Sequence, residues 1–518
     1  MMLRKRSCIS SVTDKDCSFV AGLFFSLVLI YQVVTWLRSR MRVGDYDKKH
    51  VLVTGCDTGF GCLLVKRLDV LGFRVFAACL TSQGAEKLQA ASSSRVTTLV
   101  LDVTDEKSIS AARDFVAASL PEGQGLWGVV NNARHRRSCR FPANHKMSGA
   151  NRLSRHSGAT VSDDVYRWIA VCLPRKLASC KFSSIVTSIY LVYVYIFQDC
   201  IFVAQLFLAL VLIYQLVTWL RSRLRVGDYD KKHVLVTGCG NGFGYLVAKR
   251  LDVLGFRVFA ACRTSQAAEK LQEESSSRVT TLVLDVTDEK SISAARDFVA
   301  ARLPEGQGLW GVVNNAAIAG PNAPSEWVSR DGYQTCLAVN LFGLIDVTRT
   351  FLPLVRRARG RVVNISSVSG RIAVGPSPYC VSKYGVEAFS DCLRREVYRQ
   401  GVQVCIIETG LFKTNINKQD ISFKSFKMSY DATPADIRQH YPDWTVEAFS
   451  KMITRASAII SPKLHLVVDA YVLALTSRFP PTRQLVGSDV RLFYRLLWNL
   501  PTPLTDWILV KLLESAAH

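Results

Sequence analysis

The sequence predicts an α/β fold built on a doubly wound parallel sheet, with membrane helices at its N-terminal side. Apolar, β-branched runs of strand length alternate with helical segments, and this pattern is typical of a parallel sheet covered on both faces. Two uncharged stretches, Ser18–Leu37 and Ile201–Leu220, predict the membrane helices. Each stretch has 20 residues, about 30 Å as a helix. A Trp lies near its end and Arg residues follow it, and both suit a headgroup boundary.

A long repeat occupies the first part of the chain. Arg42–Ala133 aligns with Arg225–Ala316 without a gap, and roughly nine residues in ten are identical. The second copy continues through a helix-rich stretch to two further strands, GRVVNISSVSG and VQVCIIETG. The first copy runs instead into a stretch with neither helical nor strand periodicity. It therefore holds about half of the domain, and its unpaired edge strand predicts poor stability on its own.

The net charge of +23 does not indicate a nucleic-acid-binding protein. Residues 134–184 hold eleven Lys and Arg against two acids, with only four scattered aromatic residues and without helical periodicity. Such a stretch predicts a solvated or disordered basic linker. The fifteen cysteines are scattered, with no CxxC pair and no His/Cys spacing suited to zinc. They predict free thiols and no metal site.

A glycine-rich loop follows the first strand of the second copy and opens a helix. It reads Thr237-Gly238-x-x-x-Gly242-x-Gly244. Glycines at these positions let the backbone approach a pyrophosphate, and the helix N-terminus offers it unpaired N–H groups. In this context the loop predicts a Rossmann-type dinucleotide site in the second copy only.

Three further residues of the second copy follow predicted strands and extend the cofactor site. Asp285 ends the third strand, where a carboxylate can accept from an adenine amino group, and Asn314 ends the fourth, where an amide can hold backbone and ribose. Arg263 ends the second strand, where an acid would bind the ribose 2′-OH of NAD and an Arg can pair with a 2′-phosphate. The cofactor therefore stays open as NAD or NADP.

The stretch Tyr379-Cys-Val-Ser-Lys383 predicts the catalytic groups. Residues four apart share one helix face, so the Lys383 ammonium is expected to lower the pKa of the Tyr379 phenol and make it a proton acceptor. Ser366 and Ser367 end a predicted strand thirteen and twelve residues upstream, so that a hydroxyl can meet the same substrate oxygen.

These motifs together resemble the short-chain dehydrogenase/reductase family, in its membrane-bound branch of retinol and 17β/3α-hydroxysteroid dehydrogenases. The resemblance is carried by TGCGNGFG, LDVTD, GLWGVVNNA, VNLFG, YCVSKYGVEAFSDCLRRE and FKT, and covers the chain from roughly Val211 onward. It implies Tyr379 as catalytic base and acid, Lys383 as the residue that lowers its pKa and binds the nicotinamide ribose, and Ser367, in preference to Ser366, as the group that orients the substrate oxygen. It implies Asn340 as support for a proton-relay water. The implied cofactor-binding residues are Gly238, Asn241, Gly242, Phe243, Gly244, Arg263, Asp285, Asn314, Tyr379, Lys383 and Thr414.

The sequence departs from the family pattern at two places. Ala317 stands where the family has the glycine of NNAG, and its Cβ is expected to disturb a loop that needs a positive φ. Thr409 stands where the family has the proline of a PG pair, which is expected to loosen a turn beside the nicotinamide. Both departures bear on cofactor affinity and leave the reaction class unchanged.

The resemblance and the residues together predict a membrane-bound oxidoreductase that transfers a hydride between NAD(P) and a lipophilic alcohol or ketone, such as retinol or a hydroxysteroid. The alternative is a catalytically weak, membrane-tethered binding or scaffold protein with a duplicated half-domain. The resemblance implies the endoplasmic reticulum membrane as its location. The membrane and a lipophilic small molecule are the expected partners, nucleic acid is not, and a homo-oligomer stays open.

The predicted regions are an N-terminal anchor at 1–45, a partial dinucleotide-binding half-domain at 46–133, the basic linker at 134–184, one or more membrane segments at 185–225 and a complete dehydrogenase domain at 226–518. Within the last region, residues of about 412–460 are expected to form a substrate lid, followed by an apolar C-terminal tail. The lid is expected to present Phe423, Phe426, Met428, Tyr430, Tyr441, Trp444 and Phe449.

Overall fold

The computed structural model describes residues 44–133, 205, 208–221 and 223–517. These residues belong to two compact units, one containing 44–133 and the other the described residues from 205 onward. Three sequence predictions lie outside the described residues: the anchor Ser18–Leu37, the basic linker 134–184 and the start of the membrane segments at 185–204.

The first unit contains a four-stranded parallel sheet with the order β3-β2-β1-β4. Its strands are β1 (His50–Thr54), β2 (Arg74–Cys79), β3 (Val96–Val100) and β4 (Gly128–Val130). Its helices are α1 (Gly59–Leu71), α2 (Ser82–Ala90) and α3 (Glu106–Ser119). Helices α1 and α2 connect neighbouring strands, and α3 crosses from β3 at one edge to β4 at the other, as expected of a parallel sheet.

Strand β4 is an edge of the first sheet. It pairs with β1 through Val51 and Gly128, and no described strand pairs with its other side. As a result Val129 is 54% exposed and Trp127 is 53% exposed, although both belong to a strand sequence suited to burial. The first unit therefore has the open edge that a half-domain predicts.

Residues 208–221 form the helix α4 (Leu208–Arg221). The second unit then contains a seven-stranded parallel sheet with the order β11-β10-β9-β8-β5-β6-β7. The order reverses between β5 and β8, so the predicted doubly wound α/β sheet is confirmed. Its strands are β5 (His233–Thr237), β6 (Arg257–Cys262), β7 (Val279–Val283), β8 (Gly311–Asn314), β9 (Arg361–Ser367), β10 (Gln403–Thr409) and β11 (Arg483–Val486).

Helices cover both faces of this sheet and bury a separate apolar layer on each. One layer packs Val247, Leu271 and Tyr471 against the sheet, and the other packs Ile292 and Phe351 against its opposite face. The helices are α5 (Gly242–Val253), α6 (Ser265–Glu273), α7 (Glu289–Ala300), α8 (Arg330–Leu337), α9 (Leu344–Arg357), α10 (Ser377–Glu396), α11 (Gln419–Ala432), α12 (Ala435–Arg438), α13 (Val446–Ile459), α14 (His465–Thr476), α15 (Arg495–Leu497) and α16 (Thr502–Ala517).

Among the described residues, one helix is long and apolar enough to cross a bilayer by length and composition, Arg330–Arg357, which comprises α8, a π turn at Ala338–Gly343 and α9. It is a layer of the domain, because Phe351 and Val355 of α9 are fully buried against the sheet. The shorter apolar helix α4 contains part of the predicted second membrane segment, and its side chains are largely exposed.

The segment predicted as a substrate lid contains α11, α12 and α13. Its aromatic residues pack mainly on each other and on Trp327: the rings of Phe426 and Phe449 stack with their centroids 3.9 Å apart, and Tyr441 lies 5.4 Å from Trp327. None of the seven aromatic and methionine side chains named for the lid lines the large cleft of the second unit. The segment therefore has a small core of its own.

Candidate active site

The carboxyl ends of the central strands of the second unit open into a cleft of about 890 Å³. A cleft at the point where the strand order reverses is where ligands bind in open α/β sheets. Ten residues predicted as catalytic or cofactor-binding, counting the alternative serine Ser366, line it: Gly238, Asn241, Gly242, Phe243, Arg263, Asp285, Ser366, Tyr379, Lys383 and Thr414. Gly244, Asn314, Asn340 and Ser367 do not line the cleft but lie next to residues that do.

The glycine loop has the geometry that its sequence predicts. Gly238 and Gly242 have φ values of +70° and +61°, which side chains rarely adopt. A Cβ on Gly244 would lie 2.4 Å from the Gly238 carbonyl oxygen, so no side chain fits there. The loop ends at the N-terminus of α5, where Asn241 is the N-cap and its side chain makes no cap hydrogen bond. The backbone and helix end therefore suit a pyrophosphate.

Asn315 locks this loop, a role that the sequence reasoning missed. Its Nδ2 donates to the carbonyl oxygens of Thr237 at 3.0 Å and Gly238 at 3.2 Å, and its Oδ1 accepts from the Tyr471 hydroxyl at 3.0 Å. The Thr237 hydroxyl accepts from the backbone N–H of Asn315 at 3.0 Å. The second Asn of the NNA motif could have predicted this role, since an amide that follows a buried strand is well placed to bond the neighbouring loop.

Asn314, the neighbouring residue, faces the interior of the sheet. Its Nδ2 donates to the Thr348 hydroxyl and to Asn364 Oδ1, both at 2.8 Å, and its side chain is buried. The structure thus brings Asn315 rather than the side chain of Asn314 to the cleft wall.

Tyr379 and Lys383 lie one turn apart on α10, as predicted, with the Lys383 Nζ 5.5 Å from the centroid of the Tyr379 ring. Lys383 is 1% exposed, and its Nζ donates to the Ile365 carbonyl oxygen at 3.1 Å. The ammonium is therefore held at the cleft floor, between α10 and the end of β9.

The pKa of Tyr379 corrects one expectation. Burial raises the pKa of the phenol to about 12, and burial lowers the pKa of Lys383 to about 8. The Lys383 ammonium was expected to lower the pKa of the phenol, but desolvation of the phenol has the largest effect and raises it. Protein groups alone therefore do not make Tyr379 a base at neutral pH.

The two candidate serines separate clearly in the structure. A hydrogen bond with the Ser367 hydroxyl lowers the pKa of Tyr379, against the larger effect of burial. Ser367 also accepts from the Ser369 N–H at 3.2 Å. The Ser366 hydroxyl acts instead on the pKa of Glu387, which it lowers against burial. The pKa of Tyr379 thus responds to Ser367, the residue preferred from its spacing, whereas Ser366 is the serine that lines the cleft.

Asn340 lies in the π turn between α8 and α9 and is 1% exposed. Its Nδ2 donates to the Ile318 carbonyl oxygen at 2.9 Å, and its Oδ1 accepts from the Ile318 N–H at 2.8 Å. The amide also bonds the Ser382 hydroxyl at 3.0 Å. It therefore fixes the cleft-lining loop after β8 against α10, and π turns of this kind are frequent at functional sites.

Asp285 and Arg263 lie on the side of the cleft formed by β6 and β7. The Asp285 carboxylate accepts from the Thr287 hydroxyl at 2.7 Å and the Thr287 N–H at 2.9 Å. These bonds, and then the charge of Arg263, lower the pKa of Asp285. Arg263 itself is exposed at the cleft wall.

The two departures from the family pattern have different outcomes. Ala317 does not have a positive φ, so the expected strain from its Cβ is absent. Thr409 lines the cleft at the end of β10, where its hydroxyl donates to the Ser366 carbonyl oxygen at 3.4 Å. The hydroxyl thus ties β10 to β9 at the place where the sequence predicted a looser turn.

A buried ion cluster supports α10 behind the cleft, and the sequence reasoning did not find it. Arg483 of β11 donates to Glu408 and to Asp391, both at 2.8 Å, and also pairs with Glu387. Glu408 is 1% exposed. Glu387 follows Lys383 by one helical turn, and its charge favours the protonated lysine. The residues come from β10, β11 and α10, so only the tertiary fold brings them together.

The fold and the cleft define a dinucleotide-dependent oxidoreductase, and comparison with known proteins gives its family. Residues 49–151 and 232–424 match the family described as short chain dehydrogenase. The chain belongs to this family, whose members use NAD(P), and the two matched ranges agree with the repeat. The protein is an NAD(P)-dependent oxidoreductase.

Two known relatives and one solved structure show which members of the family this chain is similar to. Human 17-beta-hydroxysteroid dehydrogenase type 6 is 44% identical over 303 residues, covering 58% of this chain and 95% of the relative. Rat retinol dehydrogenase 16 is 44% identical over 299 residues, covering 58% and 94%. A solved short chain dehydrogenase/reductase from Burkholderia phymatum, in complex with NAD, is 19% identical with a TM-score of 0.43, covering 52% of this chain and 94% of that one.

Proposed function

We propose that the protein is a membrane-bound dehydrogenase that interconverts a lipophilic alcohol and its ketone or aldehyde, with retinol or a hydroxysteroid as substrate. The observation that carries the proposal is the position of Tyr379 and Lys383 side by side in the cleft, with Ser366 lining it and Ser367 directly next to Ser366. The relatives named for retinol and for 17-beta-hydroxysteroid support the substrate class.

In the oxidation direction, the Tyr379 oxygen accepts the proton of the substrate hydroxyl while the carbinol carbon gives up hydrogen with its electron pair. Ser367 donates a hydrogen bond that fixes the substrate oxygen beside the phenol. A bound oxidised nicotinamide would supply the hydride acceptor, and its positive charge would favour the phenolate form of Tyr379. The reverse reaction returns the Tyr379 proton to the carbonyl oxygen.

Lys383 has two tasks in this scheme. With its pKa lowered to about 8 by burial, most of the amine is still a cation at pH 7. The cation opposes the burial that raises the pKa of Tyr379, and its remaining N–H groups are directed to donate to ribose hydroxyls. Asn340 is proposed to hold a proton-relay water beside this lysine.

The proposed cofactor contacts follow the cleft wall. Gly238, Asn241, Gly242, Phe243 and Gly244 are assigned to the pyrophosphate side, where the backbone is open. Asp285 is assigned to the adenosine side and Thr414 to the nicotinamide side. Asn315 holds the glycine loop, and Asn314, whose side chain faces the sheet interior, is assigned a supporting position behind it.

A lipophilic substrate suits the remaining wall of the cleft. Ile318, Val339, Ile416 and Ile421 line it, and Ile416 and Ile421 come from the proposed lid of residues 412–460. Burial of an apolar ring or chain against such side chains is favourable by about 25 cal/mol per Å².

The membrane is the proposed location, in particular that of the endoplasmic reticulum. The uncharged stretches Ser18–Leu37 and Ile201–Leu220 support an anchored protein. The apolar tail supports contact with a bilayer surface, because Trp507 of α16 is 62% exposed and Leu513 is 52% exposed. A lipid-soluble alcohol would reach the enzyme through the same membrane.

The substitution Tyr379→Phe tests the catalytic assignment. Loss of the proton acceptor is expected to lower hydride transfer between NAD(P) and retinol or an androsterone-like alcohol on the order of 1,000-fold. The measurement is NAD(P)H formation by microsomes that contain the full chain. Tyr384→Phe is the matched control, since Tyr384 lies on the same helix, is exposed and does not line the cleft.

Unchanged hydride transfer in the Tyr379→Phe protein would contradict the proposal. It would favour the alternative, a membrane-tethered binding or scaffold protein.

A further inference from the structure

We propose, building on the dehydrogenase function above, that this chain selects NADP over NAD, and that Gly240, Arg263 and Ala267 set the choice. The two copies of the repeat support this proposal, because they have the same local fold and differ at these three positions. The first copy has Asp57, Leu80 and Gly84 instead.

In the first copy an acid fills the space between the glycine loop and the end of β2. The Asp57 carboxylate accepts from the backbone N–H of Leu80 at 2.7 Å and of Thr81 at 3.1 Å. It also accepts from the Thr81 hydroxyl at 2.9 Å. A carboxylate there repels a phosphate and takes the donors that a phosphate would use.

The acid of the first copy has a glycine beside it, and in its present conformation it leaves no room for a side chain there. A Cβ on Gly84 would lie 2.4 Å from Asp57 Oδ1. The second copy has Ala267 at the position of Gly84, so it already carries that Cβ. An acid at position 240 would therefore clash with Ala267, and the second copy has Gly240 there. The three differences form one coupled set.

In the second copy the same space is open and lined by donors. Gly240, Arg263, Thr264 and Ala267 line the cleft. The backbone N–H groups of Arg263 and Thr264, which correspond to those that bind Asp57, have no acceptor among the residues that the structure describes. A phosphate group on the ribose can accept from both.

The guanidinium of Arg263 adds a positive charge to this space. Its side chain is exposed at the cleft wall, and the structure shows it in no ion pair within the described part of the chain. The nearby carboxylate of Asp285 is engaged by Thr287. A guanidinium fork and two adjacent N–H groups recognise a phosphate dianion and offer an unphosphorylated ribose hydroxyl no acceptor.

Binding affinity tests the proposal without relying on turnover. Calorimetric titration of the purified full chain is expected to show NADP⁺ binding about 10- to 100-fold more tightly than NAD⁺. Adenosine 2′,5′-bisphosphate is expected to bind more tightly than adenosine 5′-phosphate by a similar factor. Arg263→Leu should remove most of both preferences, together with the salt dependence of NADP⁺ binding.

The triple substitution Gly240→Asp, Arg263→Leu and Ala267→Gly installs the residues of the first copy. It is expected to invert the preference in favour of NAD⁺, a gain that an unfolded protein cannot produce. Leu80→Arg adds the same charge at the matching position of the first copy and is the control. It should leave both affinities unchanged, because Asp57 already occupies the neighbouring donors.

Two results would overturn the proposal, and only the first of them would leave the dehydrogenase function supported. If NAD⁺ binds as tightly as NADP⁺ while Tyr379-dependent oxidation persists, the selection is wrong and the dehydrogenase function remains. If neither dinucleotide binds, the dehydrogenase function fails as well.

Discussion

Burial of Lys383 is the residue-scale feature with the clearest energetic consequence. The amine is 1% exposed, and burial lowers its pKa to about 8 from the ordinary 10.5. Between these two values the unfolded chain binds more protons than the folded one, so the free energy of unfolding rises with pH. Holding the cation at the cleft floor therefore costs stability at neutral pH.

The substitution Lys383→Met is expected to remove this pH dependence. Relative to the variant, the unsubstituted protein should gain about 2 kcal/mol of unfolding free energy between pH 8 and pH 9.5. Urea unfolding at several pH values in this window measures the difference. Parallel curves for the two proteins would show that Lys383 is not desolvated.

The sequence predicted which residues line the cleft better than it predicted their electrostatics. The spacing of Tyr379, Lys383 and Ser367 was enough to bring them together, because a helix and a strand end fix such distances. The direction of the Tyr379 pKa was wrong, since burial depends on the whole domain. Asn315 was missed because its partners come from the loop after β5 and from α14.

At the scale of elements, the glycine loop occurs twice with nearly the same geometry. A Cβ on Gly61 would lie 2.3 Å from the Gly55 carbonyl oxygen, as one on Gly244 would lie 2.4 Å from that of Gly238. The two loops therefore offer matched sites for the same substitution.

Gly244→Ala is expected to weaken dinucleotide binding on the order of 100-fold, because the loop must shift to admit the methyl group. Gly61→Ala meets the same clash in the first copy and should leave binding unchanged. Titration of the full chain with NADP⁺ and NAD⁺ compares the two variants. Equal losses in both would mean that the first copy also contributes to cofactor binding.

The ion cluster around Arg483 ties β11 and β10 to α10. Arg483→Met would leave Glu387 buried without its cation and Glu408 with only Arg371 at 3.9 Å, so the free energy of unfolding is expected to fall by about 3–5 kcal/mol. Arg278→Met is the control. Arg278 is 44% exposed and pairs with Asp252 at 3.2 Å, so its loss should cost about 1 kcal/mol or less.

Chemical denaturation of both variants provides the comparison. Similar small losses would show that the buried carboxylates are neutralised in another way when Arg483 is absent.

Six strands of the second unit were predicted from apolar runs, but β11 was not. Its four residues, Arg-Gln-Leu-Val, are half polar, and a strand this short has no recognisable period. It is stabilised by pairing with β10 and by the buried cluster at Arg483, which are tertiary contacts. The packing of the aromatic residues of the lid against each other could not be predicted either. Periodicity does not distinguish residues that line a cleft from residues that form a local core.

At the scale of the whole molecule, the same sequence occurs in a complete sheet and in a half sheet. Val312 of β8 is fully buried because β9 pairs beside it, whereas Val129 of β4 is 54% exposed. The first unit thus lacks the burial that would stabilise identical strands.

Hydrogen exchange is expected to be at least about tenfold faster in β1 than in β5, which share the sequence His-Val-Leu-Val-Thr. Mass spectrometry separates the copies when the peptides extend to Asp57 or Gly240. Equal protection would mean that the first unit acquires a partner for its open edge.

Trp127 and Trp310 form a natural pair of optical probes. Trp310 donates its indole N–H to the Leu475 carbonyl oxygen at 3.0 Å and lies under the guanidinium of Arg361, whereas Trp127 is 53% exposed. A polar quencher added from solution reaches the indole of Trp127 far more easily than the indole of Trp310. Because of the duplication, one chain therefore contains an exposed indole, Trp127, and a partly buried indole, Trp310, at the same position of the same peptide.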